Sequence, residues 1–271
     1  MTERAEAKGF GAKGFGTGGA GTKGSGTAPD ITDDAILNGR LRLFQPRRGH
    51  RFGHDAVLLA AAVPARPGER VAEFGAGVGA ASLALLARVP DIDATLFELD
   101  PTLCALAQEN IARNGFSDRA RAVIRNVTAP AGNEAFDHIF MNPPFNDDRH
   151  QASPEAGRRL AHTADSDLLP QWLDSARASL RDGGTLTLIW RADGLASVLQ
   201  ALEEGYGAIA VLPVHPAPER PAIRVIATAE KGGGAPMRVL PPLILNDDSL
   251  RPSPDAEAVL RQGAALPIAG R

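Results

Sequence analysis

Cysteine is nearly absent from this sequence, and long apolar runs are missing. A single cysteine among 271 residues excludes an internal disulfide framework and a zinc site built from several cysteines. The six histidines show no metal-ligand spacing. No apolar run reaches the roughly 20 residues that span a bilayer, and no apolar signal-peptide core follows Met1. We therefore expect a cytoplasmic protein that binds neither a membrane nor a metal.

The glycines are concentrated near the start of the chain. Nine of the 29 glycines fall between Gly9 and Gly26, in five-residue repeats such as Lys8-Gly-Phe-Gly-Ala12. Glycine at alternate positions is entropically costly to order, and this segment has almost nothing to bury. We predict that residues 1–30 form a disordered tail. Its lysine and phenylalanine side chains leave contact with RNA phosphates and bases as an alternative role.

The rest of the chain alternates between strand and helix patterns. Such alternation predicts an α/β fold with a mostly parallel sheet and helices on both faces. Ten of the 21 prolines lie from Pro213 onward, which predicts a loop-rich end rather than a second helical domain. The predicted strands cover 71–74, 93–97, 121–124, 136–141, 185–190, 208–212 and 223–229. The predicted helices cover 56–63 with Asp55 as N-cap, 80–88, 101–114, 166–180 and 194–204.

A glycine-rich turn links the first of these strands to its helix. Gly75, Gly77 and Gly79 alternate with other residues there, and glycines in such a turn let the backbone pass close to a ligand at a helix N-terminus. The same turn also satisfies the dinucleotide pattern, with Glu98 at 23 residues after the first glycine, near the expected spacing of about 20. The turn by itself therefore leaves both NAD and S-adenosylmethionine open.

An acidic residue before the turn favours S-adenosylmethionine. Glu73 stands two residues before Gly75, where a carboxylate would face the ligand. A negative charge beside a dinucleotide pyrophosphate is unfavourable, whereas the same charge suits the cationic amino-acid end of S-adenosylmethionine.

A second motif, Asn142-Pro143-Pro144-Phe145, follows the fourth predicted strand, at the edge where open α/β sheets bind ligands. The side-chain carbonyl of Asn142 and the backbone carbonyl of Pro143 can accept hydrogen bonds from an exocyclic amine. The prolines make the turn rigid, and Phe145 offers a face on which a base can stack. The motif predicts methyl transfer to an exocyclic amine, and a structural proline turn capped by Asn142 is the alternative.

Together, and in this order, the two motifs and Glu98-Leu-Asp100 resemble those of class I S-adenosylmethionine-dependent methyltransferases that modify amino groups. Residues 45–59, 186–193 and 231–243 are similar to the bacterial tRNA1(Val) adenine N6-methyltransferase family, which modifies the adenine beside the anticodon. The resemblance runs from about residue 41 to residue 246. It implies a Rossmann-like class I methyltransferase fold with a seven-stranded, mostly parallel sheet, S-adenosyl-L-methionine as cofactor and tRNA as substrate.

The resemblance also implies roles for individual residues and segments. The glycines would cradle the methionine part of the cofactor with Glu73 near its amino group, Glu98 would accept from the ribose hydroxyls, and Asn126 would lie beside the adenine. Asn142 to Phe145 would hold the target base. A substrate-facing cap is expected over 31–64, the methyltransferase domain over 65–246 and a C-terminal tail over 247–271. The expected cofactor residues are Glu73, Gly75, Gly77, Gly79, Glu98 and Asn126.

The net charge of −3 conceals a basic segment without acidic residues between Arg40 and His54. Such a cluster is the pattern expected for contacts with RNA phosphates, and a solvated basic loop is the alternative. The predicted RNA-binding residues are Arg47, Arg48, His50 and Arg51 in this segment and Arg149 in a later loop.

Other acceptors and other functions stay open at this point. Similar tetrapeptides serve rRNA guanine N2 and protein glutamine N5 methylation, although glutamine methyltransferases usually carry Tyr where this chain has Phe145. A non-catalytic nucleotide- or RNA-binding protein would have no need for Asn142. An NAD-dependent oxidoreductase would leave the proline turn unexplained.

Overall fold

The computed structural model describes residues 30–48, 51–129, 135–144 and 168–270. From Ile31 onward the chain forms one compact unit. Residues 1–29 of the predicted tail lie outside the described residues. Three residues of the predicted site also lie outside them: Phe145, His50 and Arg149. None of the helices within the described ranges combines the length and apolar character that crossing a membrane requires.

The described chain opens with an antiparallel hairpin that is absent from the predicted elements. Strand β1 (Ile31–Ile36) pairs with β2 (Leu41–Pro46) along their whole length. The side chains of Leu41 and Leu43, two residues apart on β2, are buried, as expected for a strand with one face against a core. The first part of the predicted cap is therefore a hairpin.

The central sheet contains seven long strands within the described residues, in the order β8-β9-β7-β6-β3-β4-β5. Of these, β9 runs antiparallel to both of its neighbours, and the other described pairs are parallel. The predicted mostly parallel sheet is thus confirmed. Its strands are β3 (Arg70–Phe74), β4 (Asp93–Glu98), β5 (Ala120–Ile124), β6 (Phe136–Met141), β7 (Leu180–Arg191), β8 (Tyr206–His215) and β9 (Arg224–Lys231), and the short β10 (Arg238–Val239) and β11 (Leu243–Ile244) pair with β8.

Helices cover both faces of this sheet, as predicted. Residues of α1, α2 and α3 belong to one buried apolar cluster, and those of α4 and α5 belong to a second one on the opposite face. Alternate residues of each strand reach the two clusters, because side chains of a strand point to opposite faces in turn. The helices are α1 (His54–Ala62), α2 (Ala80–Arg88), α3 (Pro101–Arg113), α4 (described over 168–179), α5 (Leu195–Leu202) and α6 (Pro254–Gln262).

The N-cap predicted for α1 is wrong. The N-cap position is Gly53, without a side-chain hydrogen bond, and Asp55 lies inside the first turn. Its Oδ2 accepts from Nε of Arg224 on β9 at 2.8 Å. The carboxylate of Asp55, which the local pattern predicted to be a helix cap, therefore forms an ion pair with a residue far along the chain.

Helix α6 lies within the segment predicted as a C-terminal tail. Ser253 caps it, because its Oγ accepts from the backbone N–H of Ala256 at 3.0 Å. Beyond the helix, the N–H of Leu266 donates to the carbonyl of Ala61 on α1 at 2.8 Å. The end of the chain thus packs against the same core as the residues of the predicted cap.

One buried amide joins the hairpin to the rest of the fold. Asn110 on α3 is fully buried; its Oδ1 accepts from the N–H of Phe44 at 2.7 Å, and its Nδ2 donates to the carbonyl of Phe44 at 2.9 Å. The same Nδ2 donates to the carbonyl of Val78 at 3.0 Å, so this side chain connects β2, α3 and the turn before α2.

We expect Asn110→Ala to lower the free energy of unfolding by about 2–4 kcal/mol, because buried backbone groups would lose their partners. Urea denaturation measures the loss. Asn114→Ala is the matched control: Asn114 also bonds to the β2 backbone, at Arg42, but is only partly buried, so its loss should be about 1 kcal/mol. Equal losses in the two variants would contradict this account.

Candidate active site

Three neighbouring strands end at the same edge of the sheet and bring the predicted motifs together. The register aligns Phe74 of β3 with Phe97 of β4 on one side and with Met141 of β6 on the other. The residues that follow are Gly75, Glu98 and Asn142. Residues separated by 67 positions in the sequence thus lie on adjacent strands at one edge.

The turn between β3 and α2 adopts a backbone conformation that requires glycine. Gly75, Gly77 and Gly79 have φ values of 68°, 56° and 87°, in the left-handed region that other residues rarely adopt. A Cβ added to Gly77 would meet no atom within 4 Å, so space for a ligand lies over this residue. A Cβ added to Gly75 would lie 2.6 Å from Cη2 of Trp172.

Trp172 on α4 is therefore a site residue that the sequence motifs miss. Its ring is mostly buried and lies against the backbone of Gly75, where it closes one side of the turn. The helical pattern around Trp172 indicates only an apolar face, and its contact with the turn depends on how α4 packs across β3 and β6.

Glu98 binds the turn directly. Its Oε2 accepts from the N–H of Gly77 at 2.7 Å, and its Oε1 accepts from the N–H groups of Leu99 and Asp100 at 2.8 and 2.9 Å. The sequence prediction placed this carboxylate on the ribose hydroxyls. The structure adds three backbone hydrogen bonds that fix its orientation, and each carboxylate oxygen can accept more than one bond.

Glu73 is buried behind the turn. Its Oε2 accepts from both the N–H and the Oγ of Ser82, in the first turn of α2, at 2.9 and 2.5 Å. Burial raises the pKa of this carboxyl from its ordinary 4.5 to about 8, against the opposite effect of the hydrogen bonds from Ser82, and the nearby charge of Glu98 raises it further. A cation placed beside Glu73 would favour its ionised form.

Asn126 lies on the surface in a tight turn after β5. Its Oδ1 accepts from the N–H and the Oγ1 of Thr128 at 3.0 and 2.8 Å. The sequence prediction used this oxygen as the acceptor for an adenine amino group. In the structure it already accepts two hydrogen bonds, so contact with adenine stays a prediction.

Two exposed apolar side chains stand beside Glu98. Leu99 follows it directly and is 62% exposed, and Ile124, aligned with Glu98 on β5, is 59% exposed. An apolar surface next to a hydrogen-bond-accepting carboxylate suits a nucleoside, which has a flat ring and hydroxyl donors. Leu99 is visible in the Glu98-Leu-Asp100 motif, but an exposed leucine carries no signal by itself.

At the end of β6, the side chain of Asn142 carries a buried acceptor. Its Oδ1 is excluded from solvent and has no hydrogen-bond partner among the described residues. Pro143 is buried and Pro144 is exposed. A buried carbonyl without a partner costs about 1–3 kcal/mol, and a ligand N–H donor would remove this cost.

Within the basic segment, Arg51 is held by other groups of the fold. Arg47 and Arg48 are exposed, whereas Arg51 donates to the carbonyl of Pro46 at 2.8 Å and to Oδ2 of Asp34 at 2.9 Å. Asp34 lies on β1, outside the acid-free stretch, so the hairpin brings the acid to the arginine. Arg51 thus has a structural role in addition to its predicted one.

These residues fit S-adenosylmethionine. The space over Gly77 offers room for the ligand, and the mostly buried carboxylate of Glu98 offers hydrogen-bond acceptors. The apolar surface formed by Leu99 and Ile124 offers contact with a ring. Glu73 supplies an acid behind the turn. Within the described ranges, no group of three or more His, Cys, Asp or Glu side chains could hold a metal ion.

The model of the family described as "methyltransferase small domain" matches residues 50–213, which is more than half of the chain. The chain belongs to the methyltransferase small domain family. This membership confirms the predicted class I S-adenosylmethionine-dependent methyltransferase and its cofactor. It also decides the choice between NAD and S-adenosylmethionine that the glycine-rich turn leaves open.

Relatives in this family match most of the chain. A tRNA1(Val) (adenine(37)-N6)-methyltransferase of Bacteroides thetaiotaomicron is 28% identical over 199 residues, which cover 73% of this chain and 78% of the relative. Its namesake in Parabacteroides distasonis is 31% identical over 180 residues, 65% of this chain and 75% of the relative. The crystal structure of a predicted O-methyltransferase from Agrobacterium tumefaciens has a TM-score of 0.67 and 28% identity, and the match covers 78% of this chain and 98% of that one.

The raised pKa of Glu73 predicts a pH dependence of stability. Between pH 4.5 and about 8, the folded chain keeps a proton that the unfolded chain releases, so the free energy of unfolding should fall as pH rises, by at most about 1.4 kcal/mol per pH unit. Glu73→Gln removes this titration and should flatten the decline.

Urea denaturation at pH 5.5 to 8.5, in about one-unit steps, measures the effect. Glu109→Gln is the control, because Glu109 is an exposed carboxylate on α3 and should leave the wild-type slope unchanged. Identical pH profiles for wild type and Glu73→Gln would show that the carboxyl of Glu73 has the same pKa in the folded and unfolded chain, and would contradict the prediction.

Proposed function

We propose that this chain is a cytoplasmic enzyme that transfers the methyl group of S-adenosylmethionine to N6 of an adenine in tRNA. The observation that carries the proposal is the buried acceptor of Asn142, which has no partner among the described residues and is adjacent to the cofactor turn. The names of the tRNA-modifying relatives support adenine in tRNA as the acceptor.

The chemistry of the acceptor matches this site. An exocyclic amine has two N–H donors, and the side-chain carbonyl of Asn142 and the backbone carbonyl of Pro143 provide two acceptors. When bound, S-adenosylmethionine would supply an electrophilic methyl group on a sulfonium, whose carbon–sulfur bond breaks to release the neutral thioether. As the amine nitrogen attacks, positive charge develops on it, and two oriented carbonyl dipoles stabilise that charge. The proton leaves after the attack, so no strong base is required.

The rigidity of the turn supports the same role. Pro143 and Pro144 fix their φ angles and carry no N–H group that could compete for the acceptor. Pro143 is also buried, which anchors the turn to the end of β6. Holding the amine in one orientation supplies a large part of the rate in a reaction that needs no covalent intermediate.

A hydroxyl acceptor fits less well, even though the similar Agrobacterium structure is titled a predicted O-methyltransferase. A hydroxyl has a single O–H donor, so it would satisfy only one of the two carbonyls. Guanine N2 and glutamine amides present the same paired donors as adenine N6, and they are distinguished by the product that carries the methyl group, which is a particular nucleoside or a protein.

The test is to incubate the protein with labelled S-adenosylmethionine and with tRNA isolated from cells that lack this protein. The RNA is then digested to nucleosides. The proposal expects label in N6-methyladenosine. Label in N2-methylguanosine, or in protein alone, would refute it.

Asn142→Ala should lower kcat by at least about 100-fold, the usual cost of removing an oriented dipole from such a site. Its affinity for S-adenosylmethionine, measured by calorimetry, should stay within about three-fold of wild type because the cofactor turn is intact. Asn114→Ala, which removes the amide of the C-cap residue of α3, far along the chain from the motif, is the control and should keep its activity. Loss of cofactor binding in Asn142→Ala would contradict the assigned role.

A further inference from the structure

Two arginines face each other at the edge of the sheet that carries the site. Arg191, at the end of β7, is paired in register with Arg224, at the start of β9. Side chains directly opposite in an antiparallel pair lie on the same face, and like charges placed there are unfavourable. Neither arginine belongs to the basic segment found in the sequence, because both lie far beyond its end at His54. The two arginines come together only through the pairing of β7 with β9.

The pair lies close to Asn142. The register aligns Met141 of β6 with Leu188 of β7, so Asn142 is level with the next residue of β7, and Arg191 is two residues further out. Two residues of a strand span about 7 Å, which is within the length of an arginine side chain. A nucleic acid whose base reaches Asn142 would therefore pass these guanidinium groups.

The two arginines differ in how they are held. Nε of Arg224 donates to Asp55 of α1 at 2.8 Å, and both side chains are about one-quarter exposed. Arg191 forms a two-pronged pair with Asp193, through Nε at 3.0 Å and a second, shorter contact, but Asp193 is 64% exposed. Ion pairs with such exposed partners contribute little to stability.

We propose that Arg191 binds a backbone phosphate of the RNA substrate by exchanging Asp193 for that phosphate, and that Arg224, fixed by Asp55, adds the second positive charge. A phosphate accepts the same two-pronged hydrogen bonding as a carboxylate. This inference rests on the proposed function in taking RNA as the substrate.

The exchange predicts opposite effects for the two partners. Arg191→Gln should weaken the binding of fluorescein-labelled tRNA about ten-fold at low salt and reduce the slope of log K against log salt by about one. Asp193→Asn removes the competitor and should strengthen binding about three-fold. Fluorescence anisotropy with the full chain, in S-adenosylhomocysteine to prevent turnover, measures both.

Arg181→Gln is the matched control. Arg181 lies at the other end of β7, also in an ion pair, with Asp137, and its loss should leave tRNA affinity unchanged. Calorimetric binding of S-adenosylmethionine by each variant verifies that it is folded.

The inference is overturned if tRNA does not bind, if Arg191→Gln binds with wild-type affinity and salt slope, or if Asp193→Asn weakens binding as Arg191→Gln does. The last result would mean that Asp193 only positions the arginine. If binding changes as expected but no N6-methyladenosine forms, the proposed function fails and the phosphate site stands. If N6-methyladenosine forms and the variants bind tRNA like wild type, the phosphate site fails and the proposed function stands.

Discussion

The carboxylate of Glu98 holds the turn on which the site depends. It accepts hydrogen bonds from three backbone N–H groups, at Gly77, Leu99 and Asp100, and is itself only 9% exposed. The turn after β3 and the end of β4 are thereby tied to one side chain. Because glycine loses more entropy on ordering than any other residue, a turn with three glycines needs such a fixed partner. The turn is therefore held in its observed conformation by a side chain of the fold itself.

The end of β6, next to this turn, has a polar group that is unsatisfied within the described part of the chain, where the end of β4 has a satisfied one. The acceptor of Asn142 is buried and without a partner among the described residues, so a polar cost remains there until a donor binds. In the proposed function these two features have different roles: the strand end at Glu98 is satisfied internally and would shape the cofactor turn, and the strand end at Asn142 would keep an acceptor for the amine. Arg191 and Arg224 lie at the same edge and, in the proposed phosphate site, would bind the backbone of the substrate.

Sequence patterns predicted the elements whose signals are local. β3, α2, β4 and α3 lie within about two residues of their predicted bounds, because apolar runs, the glycine turn and Pro101 mark them. The hairpin of β1 and β2 escaped prediction, since its charged residues become compatible with pairing only through cross-strand ion pairs such as that of Asp33 with Arg42. Arg51 was predicted to bind RNA because its ion pair with Asp34 also depends on the hairpin. The contact of Trp172 with Gly75 had no signal in the sequence, since tertiary packing sets it.

The most direct test of this account is a calorimetric titration of Glu98→Gln with S-adenosylmethionine. Glutamine has one side-chain oxygen, so its amide N–H would face a backbone N–H and at least one of the three bonds would be lost. Asp100→Asn is the matched control, because asparagine caps α3 as well as aspartate does while removing one negative charge from the same edge. We predict that Glu98→Gln binds the cofactor at least about ten-fold more weakly and that Asp100→Asn binds like wild type. Equal affinities for Glu98→Gln and wild type would contradict the central role of this carboxylate.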